Sequence, residues 1–190
     1  MRRITLDIET IGNLIQGDLS LLEITVVGIH DSETDKYTSF LKNELGKLWP
    51  ILERADILIG YNCDHFDIPI LNKYYAGDLT KIKSVDLLKE IRGVLGRRLK
   101  LDNIAEATLG KKKSGTGLEA MKWWTQGNVE KVRSYCLDDV RITKEIYDYA
   151  LKNASLKYRD FDGIREIKLD TSTWEVVLNI NPSLTHTLPF

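Results

Sequence analysis

The sequence predicts a mixed α/β layer fold with an appended C-terminal β-hairpin. Three observations carry this. Short apolar or alternating runs come first, at residues 4–10, 24–30 and 37–40, and read as strands. A further apolar run at residues 57–59 sits among segments with helical periodicity. After Asn153 a period of two returns around the turn signal Asp162-Gly163. Strands first, then a strand among helices, is the pattern of a sheet flanked by helices.

The first three runs, joined at the second turn by Asp31-Ser32-Glu33-Thr34-Asp35, read as an antiparallel meander. A helix is expected over residues 43–55, with Pro50 delaying its start or kinking it. The run at residues 57–59 reads as a buried strand. Helices are expected over residues 68–75, 85–95 and 102–109, the last stopped by Gly110, and over 129–151 with Asn128 as N-cap. Residues 111–117, rich in Gly and Lys, read as a loop. Beyond the hairpin, residues 174–180 are expected to form a third strand and 181–190 a loose tail. The expected division is residues 1–153 as the main domain and 154–190 as hairpin and tail.

With 190 residues, 43% of them hydrophobic and 29% charged, the chain is long enough for a sizeable core and unlike disordered or collagen-like sequences. No apolar run approaches the roughly 18 residues of a membrane span, so no membrane partner is expected. Arg2-Arg3 is followed by Asp7 and Glu9 where an export signal needs an apolar stretch. The cysteine count of 2 supports neither a disulfide framework nor a zinc site, and a reducing, cytoplasmic setting is expected.

Acidic residues recur at positions that carry chemistry. Asp7 and Glu9 lie two apart on the first strand, hence on one face, where burial is costly without a positive partner. An Asp-x-Glu arises by chance about once in a chain this size, so alone it decides nothing. Gly60-Tyr61-Asn62-Cys63-Asp64-His65-Phe66-Asp67 follows the buried strand and precedes a helix, placing Asp67 where α/β sheets present ligands. An Asp there equally reads as a helix cap. In Tyr135-Cys136-Leu137-Asp138-Asp139, Tyr135 and Asp139 are one turn apart and share a helix face, and one of the two adjacent acids must be solvated.

Taken in order, Asp-x-Glu, Asn-x-x-x-Phe-Asp and Tyr-x-x-x-Asp resemble the three motifs of DEDDy-type 3′–5′ exonucleases of the ribonuclease H-like superfamily. The form Asn62-x-x-x-Phe66-Asp67 is most similar to the exonuclease domain of family-B DNA polymerases and to YprB-like predicted exonucleases. Residues 100–110 and 124–127 also resemble that group, and the resemblance spans about residues 4–150. It implies a ribonuclease H-like mixed sheet flanked by helices, catalytic residues Asp7, Glu9, Asp67, Tyr135 and Asp139, and two divalent cations, Mg²⁺ or Mn²⁺, held by the four acids. On this reading Asp7 bridges the ions, Glu9 and Asp139 bind the one that activates water, Asp67 serves the other, and Tyr135 orients the nucleophile. Independently, converging carboxylates repel one another unless cations neutralise them, and oxygen-only donors suit Mg²⁺ or Mn²⁺ rather than zinc. The histidine variant of these enzymes needs a His five residues before the last Asp, and His30, His65 and His186 do not meet that.

Residues 81–113 hold ten basic against four acidic residues in a chain whose net charge is −1. A basic segment beside an acidic centre suits phosphate-backbone binding. Arg97, Arg98, Lys111, Lys112 and Lys113, in loop contexts, are the candidate phosphate contacts. The resemblance assigns Asn62 and Phe66 to the 3′-terminal nucleotides, with Phe66 stacking among bases. Trp123 and Trp124 cannot both face the core. The expected activity is hydrolysis of single-stranded or frayed DNA from its 3′ end to nucleoside 5′-monophosphates, with nucleic acid as partner. The rival readings are an RNA 3′–5′ exonuclease and a non-catalytic nucleic-acid-binding module of a larger helicase or polymerase.

Overall fold

The computed structural model describes residues 1–13, 17–112 and 115–177. Its main sheet has five strands in the order β3-β2-β1-β4-β5: β1 (Arg3–Ile11), β2 (Glu23–Asp31), β3 (Lys36–Leu41), β4 (Ile57–Gly60) and β5 (Lys83–Asp86). The first three form the expected antiparallel meander, while β4 runs parallel to β1 and β5 parallel to β4. Against it lie α1 (Leu45–Leu52), α2 (Asp67–Asn72), α3 (Leu87–Leu95), α4 (Leu101–Leu109), α5 (Gly117–Thr125) and α6 (Val129–Asn153). The architecture is the predicted mixed sheet flanked by helices. No helix among the described residues is long and apolar enough to cross a membrane.

The period of two along β1 divides the interior. Ile4, Leu6 and Ile8 face one core, with Leu48, Leu52, Ile70 and Leu71 of α1 and α2. On the other face of the sheet, Ile57, Ile59 and Val85 pack with Ile91, Ile104, Ile146 and Tyr147 of α3, α4 and α6. Asp7 and Glu9, out of phase with Leu6 and Ile8, therefore point to the α6 side.

Several boundaries differ from expectation. Val85, expected in a helix, belongs to β5; this four-residue parallel strand runs into α3 without a turn, its last residue Asp86 serving as N-cap and accepting from the N–H groups of Leu88 and Lys89. Helix α5 was not expected, although Thr116-x-x-Glu119 spells a capping box, with the Thr116 N–H donating to Glu119 Oε2 at 2.9 Å. Helix α1 starts at Leu45 and contains Pro50, so the proline does not delay it. Asn128 occupies the N-cap position of α6 but makes no side-chain cap bond.

The hairpin forms as expected, from β6 (Ser155–Asp160) and β7 (Gly163–Lys168). Its outer edge on β6 is closed by side chains of α4: Asn103 exchanges hydrogen bonds with the backbone of Arg159 at 2.8 and 2.9 Å, and Thr108 does so with Lys157 at 2.9 Å. Strand-like bonding by these side chains covers an edge that would otherwise invite pairing. Trp174, expected to open a third strand, lies in a turn and stacks on Tyr147 at 5.5 Å between centroids. The remainder of that expected strand from residue 178, and the tail at 181–190, lie outside the described residues.

Candidate functional site

The site begins on β1 opposite β2. Asp7 pairs with Gly28 and Glu9 with Val26, after which the register jumps to Thr10 opposite Ile24 and leaves Thr25 as the extra residue of a bulge. The Thr25 hydroxyl donates to the Glu9 carbonyl at 3.0 Å, fixing the backbone where Glu9 is carried. Glu9 is buried; Asp7 is partly exposed.

Asp67 arrives from the other side of β1. The pairing of β1 with β4 ends at Thr5 opposite Ile59, and the turn after β4 brings the first residue of α2 to the strand. There Asp67 Oδ1 accepts the Ile8 N–H at 3.1 Å. The carboxyl is pushed up to about 7, by burial first and by the charge of Asp86, against the opposing effect of N–H donors from Asp67 itself and Ile8.

Helix α6 supplies the rest. Tyr135 and Asp139 are both buried on the face that meets the sheet, and the Tyr135 hydroxyl is hydrogen-bonded with Asp139. Burial first, then the charges of Asp139, Glu9 and Asp7, push that hydroxyl well above its ordinary value, so it stays neutral. The Trp123 ring stands edge-on to Tyr135 at 5.9 Å, fixing the phenol from the α5 side. Asp138 turns outward to an ion pair with Arg141 at 2.6 Å, so of the two adjacent acids Asp139 is the buried one.

Cys136 marks the centre. Its sulfur lies 3.4 Å from the Asp7 carbonyl oxygen and 3.7 Å from Asp7 Oδ2, and the ligating atoms of Asp7, Glu9 and Cys136 all lie within 4.8 Å of one another. Burial and then the charges of Asp7, Glu9, Asp139 and Asp67 raise its thiol well above the ordinary range, and Asp7 and Glu9 are the carboxylates grouped with it at that distance. Like charges so placed cannot all ionise cheaply, and an acidic cluster of this kind could hold a divalent metal ion.

The loop between β4 and α2 is held by a carboxylate that sequence reasoning did not single out. Asp86, 2% exposed, accepts the N–H groups of Asn62 and Asp64 at 2.8 and 3.1 Å besides capping α3. An Asp directly before an amphipathic helix was the available signal. Gly60 lets the chain turn at once, since a Cβ there would lie 2.4 Å from that of Cys63, and Asn62 takes the left-handed φ of 72° that Asn tolerates. Asp64 is drawn into a separate surface network with Ser84 and Lys89. His65 is exposed and Phe66 half-buried against the α1 and α2 core.

Of the basic candidates, Arg98 donates to Asn62 Oδ1 at 2.8 Å and so stands beside this loop. Arg97 turns to Asp160 at the hairpin tip, 3.1 Å away. Lys111 pairs with Glu145 at 2.6 Å, and with Lys112 lines a surface depression shared with Asp138 and Arg141. Lys113 lies outside the described residues. Trp123 and Trp124 are each half-buried and, contrary to expectation, both pack against the buried cluster of Val26, Val132 and Tyr135, with Lys131 4.0 Å over the Trp123 ring.

A family model described as RNase_H superfamily matches residues 4–151. The chain belongs to this superfamily. Among solved structures, this RNase_H superfamily member is similar to the family B DNA polymerase from the hyperthermophilic archaeon Pyrobaculum calidifontis, at 19% identity and a TM-score of 0.63 over 79% of this chain and 24% of that one. It is also similar to Trypanosoma brucei RNase D, at 16% identity and a TM-score of 0.56 over 80% of this chain and 58% of that one. The chain thus spans about a quarter of the polymerase and just over half of the RNase D chain. No curated protein sequence matches it.

Proposed function

We propose that this protein is a metal-dependent 3′–5′ exonuclease that hydrolyses single-stranded or frayed DNA and releases nucleoside 5′-monophosphates. The observation that carries the reading is the grouping of Asp7 and Glu9 with Cys136 of α6, where Tyr135 is hydrogen-bonded with Asp139, together with the bond from the Ile8 N–H, between the two β1 acids, to Asp67. A module that only bound nucleic acid would gain nothing from mutually repelling carboxylates at its centre. Membership of the RNase_H superfamily and the likeness of fold to a DNA polymerase and to RNase D agree with the reading.

Asp7, Glu9, Asp67 and Asp139 would hold two divalent ions, Mg²⁺ or Mn²⁺, which would supply a nucleophilic water at neutral pH and stabilise the developing charge on the phosphodiester oxygens. The residues of the chain do the remaining work. Tyr135, kept neutral by its surroundings, orients the attacking water through its hydroxyl. Asn62 on the Asp86-anchored loop and Arg98, which donates to it from the segment between α3 and α4, receive the terminal nucleotide, and the half-buried Phe66 stacks on a base. Lys112, exposed in the depression it shares with Asp138 and Arg141, contacts the phosphate backbone without reading sequence.

Incubation with 3′- and 5′-labelled DNA and RNA strands, in Mg²⁺, Mn²⁺ or EDTA, tests the proposal. The expected result is a shortening ladder from the 3′ end of single-stranded DNA, abolished by EDTA. Cleavage of RNA in preference to DNA would transfer the activity to an RNA 3′–5′ exonuclease with the same site, and tight binding without cleavage would leave a nucleic-acid-binding module.

A further inference from the structure

We propose that Gly28 and Cys136 form the spacer that sets how far Tyr135 and Asp139 stand from Asp7, with Cys136 a positioning residue for the Asp7 carboxylate. The proposal rests on the nuclease reading of the carboxylate cluster. Gly28 faces Asp7 across the β1–β2 pairing, and α6 crosses β2 at that point. A methyl group on Gly28 would lie 2.9 Å from Cys136 Sγ, 3.1 Å from Val140 Cγ2 and 3.4 Å from the Cys136 carbonyl oxygen. The helix is therefore seated as low as only a glycine beneath it allows, and a side chain there must raise the helix or turn the thiol away.

The thiol itself spans the remaining gap. Cys136 is fully buried, and its sulfur reaches both the main-chain oxygen and Oδ2 of Asp7, 129 residues away in sequence, at 3.4 and 3.7 Å. A neutral S–H is a weak donor, and here it meets only acceptors, so it steadies Asp7 without adding charge to the cluster. Tyr135 precedes Cys136 directly and Asp139 follows it by three residues, both on the same continuous 25-residue helix. Raising the helix at Cys136 would move both together relative to Asp7. Misplacement of reacting groups by about 1 Å can cost on the order of a hundredfold in rate.

The test uses the full chain as wild type, Gly28→Ala, Cys136→Ala, Cys136→Ser and the Gly28→Ala/Cys136→Ala double variant. Three values are read for each: Mn²⁺ affinity by calorimetry, single-turnover cleavage of a 5′-labelled DNA strand, and the melting midpoint in EDTA. Gly28→Ala is expected to weaken Mn²⁺ binding and slow turnover by about tenfold or more while still melting cooperatively. Cys136→Ala, which empties the space the new methyl occupies, is expected to bring the double variant back to the level of the Cys136→Ala single. That single should lose only several-fold, and Cys136→Ser, which keeps a donor, should stay within about twofold of wild type. If Gly28→Ala does not fold, the Ala-against-Ser comparison at Cys136 decides in its place. Mn²⁺ affinity and turnover unchanged in every variant, with only the melting midpoint moving, would make the contact ordinary packing and overturn the proposal. A wild-type protein that neither binds Mn²⁺ nor cleaves overturns the nuclease reading and this proposal with it, a failure visible before any variant is compared.

Discussion

The backbone N–H of Ile8 donates to Oδ1 of Asp67 at 3.1 Å, a bond across 59 residues that ties the helix-borne carboxylate to the strand carrying Asp7 and Glu9. It holds Asp67 in the cluster at the cost of burying it. The consequence is a pH dependence with a definite sign. The folded-state pKa of about 7 lies above the unfolded value of about 3.9. Between those values the folded state binds one proton more than the unfolded state, so stability falls as pH rises through this window and levels off above it. Melting in EDTA from pH 5 to pH 7.5 should therefore show a decline, on the order of a few kcal/mol at most, that Asp67→Asn removes. Parallel curves for wild type and Asp67→Asn would contradict this.

Asp86 makes a second, purely structural prediction. Its carboxylate takes four N–H groups, three at Oδ1 and one, from Asp64, at Oδ2. Asp86→Asn keeps one oxygen but turns an amide N–H₂ towards a donor. Chemical denaturation should show a loss of about 2 kcal/mol for Asn and about 3 kcal/mol or more for Ala. A loss below about 0.5 kcal/mol for Ala would mean the loop is anchored elsewhere.

Tyr135 and Asp139 share a face of α6 yet should separate in kinetics. Asp139→Ala should lose most Mn²⁺ affinity along with activity, because it removes a charged oxygen donor. Tyr135→Phe keeps the ring against Trp123 and should lower turnover while Mn²⁺ and DNA affinity stay near wild type, the pattern of an interaction made in the transition state. Wild-type turnover in Tyr135→Phe would make the tyrosine a packing residue.

Lys111 and Lys112 differ in what they have to give. Lys111 is engaged by Glu145 at 2.6 Å, whereas Lys112 is exposed beside it. Lys112→Gln should flatten the salt dependence of single-strand binding by about 0.7 in log slope, more than Lys111→Gln does. Equal, unchanged slopes for both would place these lysines outside the path of the strand.

Much of this architecture was legible because it is periodic. Alternation along β1 assigned Asp7 and Glu9 to one face of the strand, and the one-turn spacing of Tyr135 and Asp139 assigned them to one face of a helix, while their meeting was implied by the resemblance of the motifs and not by local geometry. What escaped depended on contacts that no local pattern reports. Strand β5 was hidden because its four residues, only the last two of them buried, flow straight into a helix, and Val85 fits either element. The roles of Asp86 and Gly28 arise from partners 22 to 24 residues away in one case and on a helix over 100 residues away in the other. Arg97 reads as a phosphate contact from its loop, and its ion pair with Asp160 of the hairpin, 63 residues on, had no local signal.

The central claim is that Asp7, Glu9, Asp67 and Asp139 form one cation-dependent site, and titration of Mn²⁺ into wild type and Asp7→Asn tests it most directly. The site predicts saturable binding by the wild type, a raised melting midpoint at millimolar Mn²⁺, and loss of both in an Asp7→Asn protein that still folds. Identical titrations and identical midpoints for the two proteins would contradict it.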